Sequence, residues 1–378
     1  MKERQKTPMG NAIDLELYSA RIERARAEMK KDGLDYLVVG PGSDLFYLTG
    51  YNAHLSERLN LLIIGKDGSA SMVVPVLEAP LYAGRESLAP TKTWTETEKP
   101  SDLVASIIGD ATGKTIGVAD QLWSVFLIRL QGAVKGANWV TGNEVMRTLR
   151  MRKDAKEIET LAEVGRRTDA AWMEFIETAQ ITGLTEKQAM DKLGRLMEKQ
   201  GLEYSGGICA SGPNSASPHH HTGDRTIQRG DAIVFDWGSD LDGYHSDITR
   251  TVFVGEPTDE YRKVYEIVRR ANQAAFDAVK PGVPCEDIDK AARDLIVAEG
   301  YGDAFIHRTG HGLGLDGHEE PYMVSGNTLP LEPGMVFSDE PGIYLEGNFG
   351  VRVEDIVVCT ETGARRFNEA SRDITVMD

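Results

Sequence analysis

A carboxylate stands in the middle of an apolar, strand-like run, and the chain builds this arrangement twice. Asp236 lies in Ala232-Ile233-Val234-Phe235-Asp236-Trp237-Gly238, and Asp247 follows in His245-Ser246-Asp247-Ile248-Thr249-Arg250. Between them, Asp240-Leu241-Asp242-Gly243 is a turn signal. The midpoint of the two acids falls inside that turn. A regular hairpin there predicts Asp236 directly opposite Asp247, with Cβ atoms roughly 4.5–5.5 Å apart. Glu340, in Phe337-Ser338-Asp339-Glu340-Pro341-Gly342, and Glu354, in Val351-Arg352-Val353-Glu354-Asp355, repeat the pattern about a turn centred on Gly347. Like charges facing each other across a strand pair destabilise a sheet. Two such pairs need compensation, and a bound divalent cation supplies it.

The surrounding pattern is a repeat. A long amphipathic helix is predicted from Leu149 to about Gln180 and another from Thr185 to about Gln200, followed by strands at 232–238 and 245–255. Helices at 259–279 and 286–299 then precede strands at 335–340 and 351–360. Two helices and a hairpin, twice over, imply an internal duplication. Before residue 150 the character differs. A helix capped by Asp14 runs to Lys31, and short apolar strands (Leu37-Val38-Val39, Leu61 to Ile64, Met72 to Val74, Ile116-Gly117-Val118) alternate with helical stretches. Lys66-Asp67-Gly68 is a hairpin turn between two of those strands. This reads as a small α/β domain over 14–150, ahead of a duplicated catalytic domain over 151–378. Residues 1–13 form a loose leader.

Four carboxylates and few nitrogens favour an oxygen-preferring ion such as Mn2+, with Co2+ or Zn2+ as alternatives. Carboxylates also bridge, which suits two ions about 3.5–4 Å apart. His311, in Thr309-Gly310-His311-Gly312-Leu313-Gly314, is the best fifth ligand, its glycines letting backbone and ligand approach closely. The balance of 42 basic against 59 acidic residues, a formal −17, disfavours nucleic-acid or anionic-membrane binding. The polar start MKERQKTPMGNAID is no signal peptide, and no apolar run approaches a membrane span. Cys209, Cys285 and Cys359 form no CxxC pair and suit reduced structural thiols in the cytoplasm.

These residues resemble the metallopeptidases of the pita-bread fold, the family of methionine aminopeptidase, Xaa-Pro aminopeptidase and Xaa-Pro dipeptidase. Asp236, Asp247, His311, Glu340 and Glu354 fall in order in that family's five metal-ligand motifs. Tyr47-Leu48-Thr49-Gly50-Tyr51 with Glu57-Arg58 is similar to the creatinase-like N-terminal domain of the proline-specific members. The resemblance implies an α/β creatinase-like domain followed by an α+β pita-bread catalytic domain with a pseudo-two-fold duplication. It further implies two divalent ions, a hydroxide bridging them that attacks the Xaa-Pro amide carbon, and a homodimer. Pro218-His219 matches the segment whose histidine contacts substrate. His318, in His318-Glu319-Glu320-Pro321, matches the histidine that steadies the tetrahedral intermediate, and Glu340 helps handle the proton of the nucleophilic water. Similar archaeal-type prolidases carry an arginine where this chain has Tyr322, so Arg58 or Arg308 would have to hold a dipeptide's carboxylate here.

The leading expectation is an Xaa-Pro dipeptidase acting on small peptides with proline second. An Xaa-Pro aminopeptidase taking longer peptides, a metal-free creatinase-like hydrolase and a non-catalytic binding protein are the alternatives. Several neighbours have plainer readings. His220 and His221 are expected to be solvated, and Asp240, Asp242 and Asp339 to be turn residues or groups behind the ligands. Arg352 fits equally as a partner of the acids or as an ordinary strand residue. Thr249 either bonds a ligand carboxylate or is present for its β-branched shape.

Overall fold

Capping residues set where the helices of this chain begin. The Asp14 side chain accepts from the backbone of Leu17 and starts α1 (Leu15–Lys31), as its position in the sequence predicts. The computed structural model describes residues 13–378, so the leader expected over 1–13 lies, apart from Ile13, outside the described residues. The chain divides into two compact units between Arg150 and Met151.

In the first unit, α1 is followed by β1 (Tyr36–Val39), α2 (Ser43–Thr49), β2 (Leu61–Gly65), β3 (Ala70–Pro75), β4 (Thr91–Trp94), α3 (Pro100–Ile108), β5 (Thr115–Val118), α4 (Ser124–Ala133) and β6 (Asn138–Thr141). The strands form one mixed sheet in the order β4-β3-β2-β1-β5-β6. The β2–β3 pair is antiparallel about Lys66-Asp67-Gly68, as the turn residues predict. Val38, Leu61, Ile63, Val73 and Ile116 build its core with Val104, Ile108 and Leu130 of the helices.

The expected helix from Leu149 is interrupted. α5 (Asn143–Met151) ends there, and α6 (Ala155–Thr178) begins afresh. The cause is a capping box: the Asp154 carboxylate accepts from the backbones of Lys156 and Glu157, and Glu157 reaches back to the Asp154 N–H. A second box, Thr185 with Gln188, starts α7 (Glu186–Lys199). Then come β7 (Glu203–Ser211), β8 (Ala232–Leu241), β9 (Tyr244–Val254), α8 (Asp259–Ala278), α9 (Cys285–Ala298), β10 (Gly310–Gly312), β11 (Glu319–Met323), β12 (Val336–Asp339), β13 (Gly342–Leu345), β14 (Phe349–Arg352), β15 (Asp355–Cys359), β16 (Ala364–Arg366) and β17 (Thr375–Met377). One sheet runs β17-β9-β8-β7, a second β11-β10-β12-β15-β16, and β13 pairs with β14.

Alternation along β8 decides what each of its faces does. Ile233, Phe235 and Trp237 enter a core with Trp172 and Phe175 of α6, where the Trp172 and Trp237 rings stack at 4.6 Å. Asp236, between them, is left on the opposite face. The β8–β9 register differs from expectation: Asp236 faces Thr249, and Asp247 faces Gly238. The turn explains this. Asp242 and Gly243 both have positive φ, 53° and 86°, so they are the two central residues of a tight primed hairpin, one step beyond the expected centre. Asp236 and Asp247 still share a face, as diagonal neighbours.

In the second hairpin the predicted register holds, but the strands break. β13–β14 and β12–β15 keep one alignment (Gly342 to Arg352, Asp339 to Asp355), and Glu340 and Glu354 fall in the gap between the two ladders. There each hands its backbone N–H to a carbonyl outside the hairpin: Glu340 N–H donates to Thr309 O, just before β10, at 2.8 Å and Glu354 N–H to Thr249 O of β9 at 3.1 Å. The three cysteines are buried and free. No helix among the described residues is long and apolar enough to cross a membrane.

Candidate metal centre

The face of β8–β9 that carries Asp236 and Asp247 meets the gap that carries Glu340 and Glu354, and β10 brings His311 to the same place. Ligand atoms of Asp247, His311 and Glu354 all lie within 4.8 Å of one another. His311 Nε2 is 3.3 Å from Glu340 Oε1 and 3.8 Å from Asp247 Oδ2. Asp236 is tied in differently, accepting from Arg352 Nη2 at 2.6 Å. The glycine beside His311 admits backbone more than ligand: a Cβ on Gly310 would sit 1.8 Å from Ser338 O.

Electrostatics set the state of each group. Burial, then the nearby charges of Asp236 and Glu340, pushes Asp247 well above the usual carboxylate range. Burial and then Asp247 do the same to Glu354. Burial, opposed by Arg352 and reinforced by Asp236, takes Glu340 up to about 7. Burial and then His318, whose ring centroid lies 3.9 Å away, holds His311 down at about 3. A neutral His311 with Nδ1 3.1 Å from Gly312 O carries its proton there, which leaves the Nε2 lone pair facing two carboxylates. Lone pairs converging on one point are what a cation resolves.

The fit to a divalent cation rests on one further atom. Glu354 Oε2 accepts from Thr249 Oγ1 at 2.7 Å, but the buried Oε1 has no hydrogen-bond partner among the described residues. An orphaned, buried carboxylate oxygen is costly unless something positive binds it. Carboxylates with one imidazole suit a hard or borderline divalent ion.

Arg352 is the cation already in place. Fully enclosed, it donates to Asp236, to Thr249 Oγ1 (3.1 Å), to Tyr344 OH (3.0 Å) and to Pro218 O (3.4 Å). It is a partner of the acids, and Thr249 relays its hydrogen bond on to Glu354. Tyr344 and His307, bonded at 2.8 Å, extend this network, and sequence reasoning did not single them out. Burial and then Arg352 lower His307 to about 4, so it sits neutral. Its one legible signal was a histidine next to Arg308.

His219 and His318 are exposed, and after burial and Arg308 it is His219 that lowers His318 most. His220, expected to be solvated, is only partly exposed and its Nε2 bonds the buried Glu186 at 2.8 Å, while His221 is exposed as expected. Asp339 is no turn residue but lies in β12, buried, with neither carboxylate oxygen hydrogen-bonded among the described residues; burial pushes it well up. Arg308 stacks its guanidinium on the Tyr322 ring at 4.3 Å, and Tyr322 is the cross-strand partner of His311. A hollow of about 200 Å³ beside the acids is lined by Gly207, Ile208, Asp236, Gly238, His245 and Asp247.

The site therefore defines a metal-dependent hydrolase class: clustered acids, a neutral imidazole and exposed histidines on a duplicated α+β scaffold. Comparison with known proteins agrees. Residues 159–361 match the model of Metallopeptidase family M24, and residues 21–152 match the Creatinase/Prolidase N-terminal domain. The chain belongs to metallopeptidase family M24, with a creatinase-like domain ahead of the pita-bread catalytic domain. It is 39% identical over 97% of its length to the probable dipeptidase PepE of Mycobacterium tuberculosis, covering 98% of that protein. It is 35% identical to the Xaa-Pro dipeptidase of Lactobacillus helveticus, covering 94% of this chain and 98% of that one. The crystal structure of dipeptidase PepE from Mycobacterium ulcerans superposes with a TM-score of 0.92 at 38% identity, covering 97% of this chain and 99% of the other.

Proposed function

We propose that the protein is an Xaa-Pro dipeptidase that uses two divalent metal ions, Mn2+ foremost, with residues 14–150 as the shaping domain and 151–378 as the catalytic domain. The observation that carries this is the grouping of ligand atoms of Asp247, His311 and Glu354 within 4.8 Å, with Glu340 3.3 Å from His311 and Glu354 Oε1 orphaned, in a chain whose full-length relatives bear the name Xaa-Pro dipeptidase. Asp236, Asp247, His311, Glu340 and Glu354 would hold the metals. When bound, the ions supply Lewis acidity and a nucleophilic water at neutral pH.

The chain's own side chains do the rest. Glu340, whose Oε1 lies 3.3 Å from His311 Nε2 among the ligand atoms, would take and return the proton of that water. His318 and His219, exposed beside the acids, donate hydrogen bonds where negative charge develops on the scissile carbonyl oxygen. Arg308, stacked on Tyr322 and near His311, is the cation best placed to receive the free carboxylate of a dipeptide. Arg58, the other candidate, is engaged with Glu57 and Glu96. The buried free thiols suit a reducing cytoplasmic compartment, and a homodimer is part of the same reading.

Assay of Ala-Pro against Ala-Pro-Ala, with Arg308→Ala alongside, tests the substrate class. Dipeptide turnover that falls in Arg308→Ala mainly through a raised KM is the expected result. Tripeptide cleavage without dipeptide turnover would reassign the protein as an Xaa-Pro aminopeptidase.

A further inference from the structure

Between β7 and β8 the chain crosses the surface of the catalytic unit and carries His219 at an exposed position. Such a segment would ordinarily be mobile. Here its flanks are tied to a single buried side chain. Glu186, the first residue of α7, is wholly enclosed, and its carboxylate accepts five hydrogen bonds from the segment. Oε1 takes Ser211 N at 2.8 Å, Ser211 Oγ at 2.7 Å and Asn214 Nδ2 at 2.9 Å. Oε2 takes His220 Nε2 at 2.8 Å and Gly223 N at 3.0 Å. Burial alone would push this carboxyl up, but the donors from Asn214, Ser211 and His220 outweigh it and hold Glu186 below its ordinary range.

The helix end reinforces the grip. Glu186 N–H donates to Arg225 O and Lys187 N–H to Gly223 O, so the start of α7 holds both the side chains and the backbone of the returning segment. On the opposite flank, Pro218 O accepts from Arg352 Nη1 and Ser215 Oγ accepts from Gly350 N at 2.9 Å. His219 thus stands between two anchored neighbours, Pro218 on the arginine that holds Asp236 and His220 on Glu186.

We propose that Glu186 and His220 are positioning residues, which fix the arm 211–223 so that His219, whose ring makes no hydrogen bond among the described residues, is presented to the substrate in one place. This rests on the reading of His219 as a substrate-contacting residue. It assigns His220 a role distinct from its neighbours, as the clamp of the arm and not part of a histidine tract. A pre-anchored donor spends less conformational entropy at the moment of reaction than one on a free loop. Glu186→Gln places an amide N–H where an acceptor is required, and His220→Ala removes one bond at a partly exposed position, a milder change if the first variant folds poorly.

Both substitutions, alone and combined with His219→Ala, would be assayed on Ala-Pro with Mn2+ affinity measured by calorimetry. Each is expected to lower kcat/KM about tenfold or more in the native background with Mn2+ affinity unchanged. In the His219→Ala background each should cost less than about twofold, because the effect runs through that ring. Equal losses in both backgrounds, or Mn2+ affinity falling in parallel, would overturn the proposal. If the Mn2+-loaded native protein hydrolyses no Xaa-Pro peptide, the functional reading fails. The clamp is then decided by NMR of the His219 ring: a shifted or broadened resonance in His220→Ala upholds it, and an unchanged one refutes it.

Discussion

The two hairpins of the catalytic unit reach the same end by different routes. β8–β9 is an unbroken ladder, and it presents Asp236 and Asp247 simply because strand residues two apart share a face. The second hairpin keeps its alignment but opens at Glu340 and Glu354, each of which gives its backbone N–H to a carbonyl outside the hairpin. Thr249 is where the two meet: it faces Asp236 across the first ladder, and it bonds both the side chain and the backbone of Glu354. An unbroken ladder tolerates two acids one diagonal apart. Acids directly opposed are accommodated by interrupting the ladder.

That contrast can be broken at several points. Glu354→Gln removes a ligand charge from the opened hairpin. It should abolish one metal site and lower kcat well beyond the roughly hundredfold typical of a residue that only supports a ligand, as read by metal analysis and turnover of Ala-Pro. Arg352→Met removes the cation shared by the two hairpins and should destabilise the metal-free chain by about 3 kcal/mol in urea unfolding. Bound metal would offset part of this, since it takes over the neutralisation of Asp236. Thr249→Val keeps the shape of the junction but not its hydroxyl, and should weaken metal binding about tenfold with a smaller change in stability.

A further effect is one of pH. Glu340 rises from an ordinary 4.5 to about 7 in the folded chain, and Asp247 and Glu354 rise as well. The folded metal-free state therefore binds more protons than the unfolded state through that interval, so its stability falls as pH rises from about 4.5 to 7. Thermal melting of the metal-free protein should lose several degrees across this range. The metal-loaded protein should not, because the ions replace the protons. A metal-free melting temperature that climbs with pH would show that the acids are held apart or individually paired.

Much of this was legible before the structure. Asp236 stood out as a charge in an apolar run, and Asp247, Glu340 and Glu354 stood out because each acid pairs with another about a turn midpoint. Helix starts at Asp14 and Thr185 were equally clear, because a cap is local chemistry. What failed to show was longer in range. The turn at Asp242-Gly243 was one step from its expected centre, since either of two adjacent residue pairs there could serve. The cap at Asp154 was overrun by a helical pattern that continued on both sides of it. β4 and β6, short and largely polar edge strands, had no alternation to read. The enclosure of Arg352, the isolation of Asp339 and the grip of Glu186 on His220 depend on residues more than 30 positions apart or on burial itself, and composition carries no trace of either.

The role proposed for these acids is above all to hold metal. Metal analysis of the purified protein, with Xaa-Pro dipeptide turnover measured before and after chelation, tests it most directly. About two divalent ions per chain, lost together with activity on chelation and restored by Mn2+, is the predicted result. Near-zero metal, with full activity retained in Asp247→Ala, would contradict it.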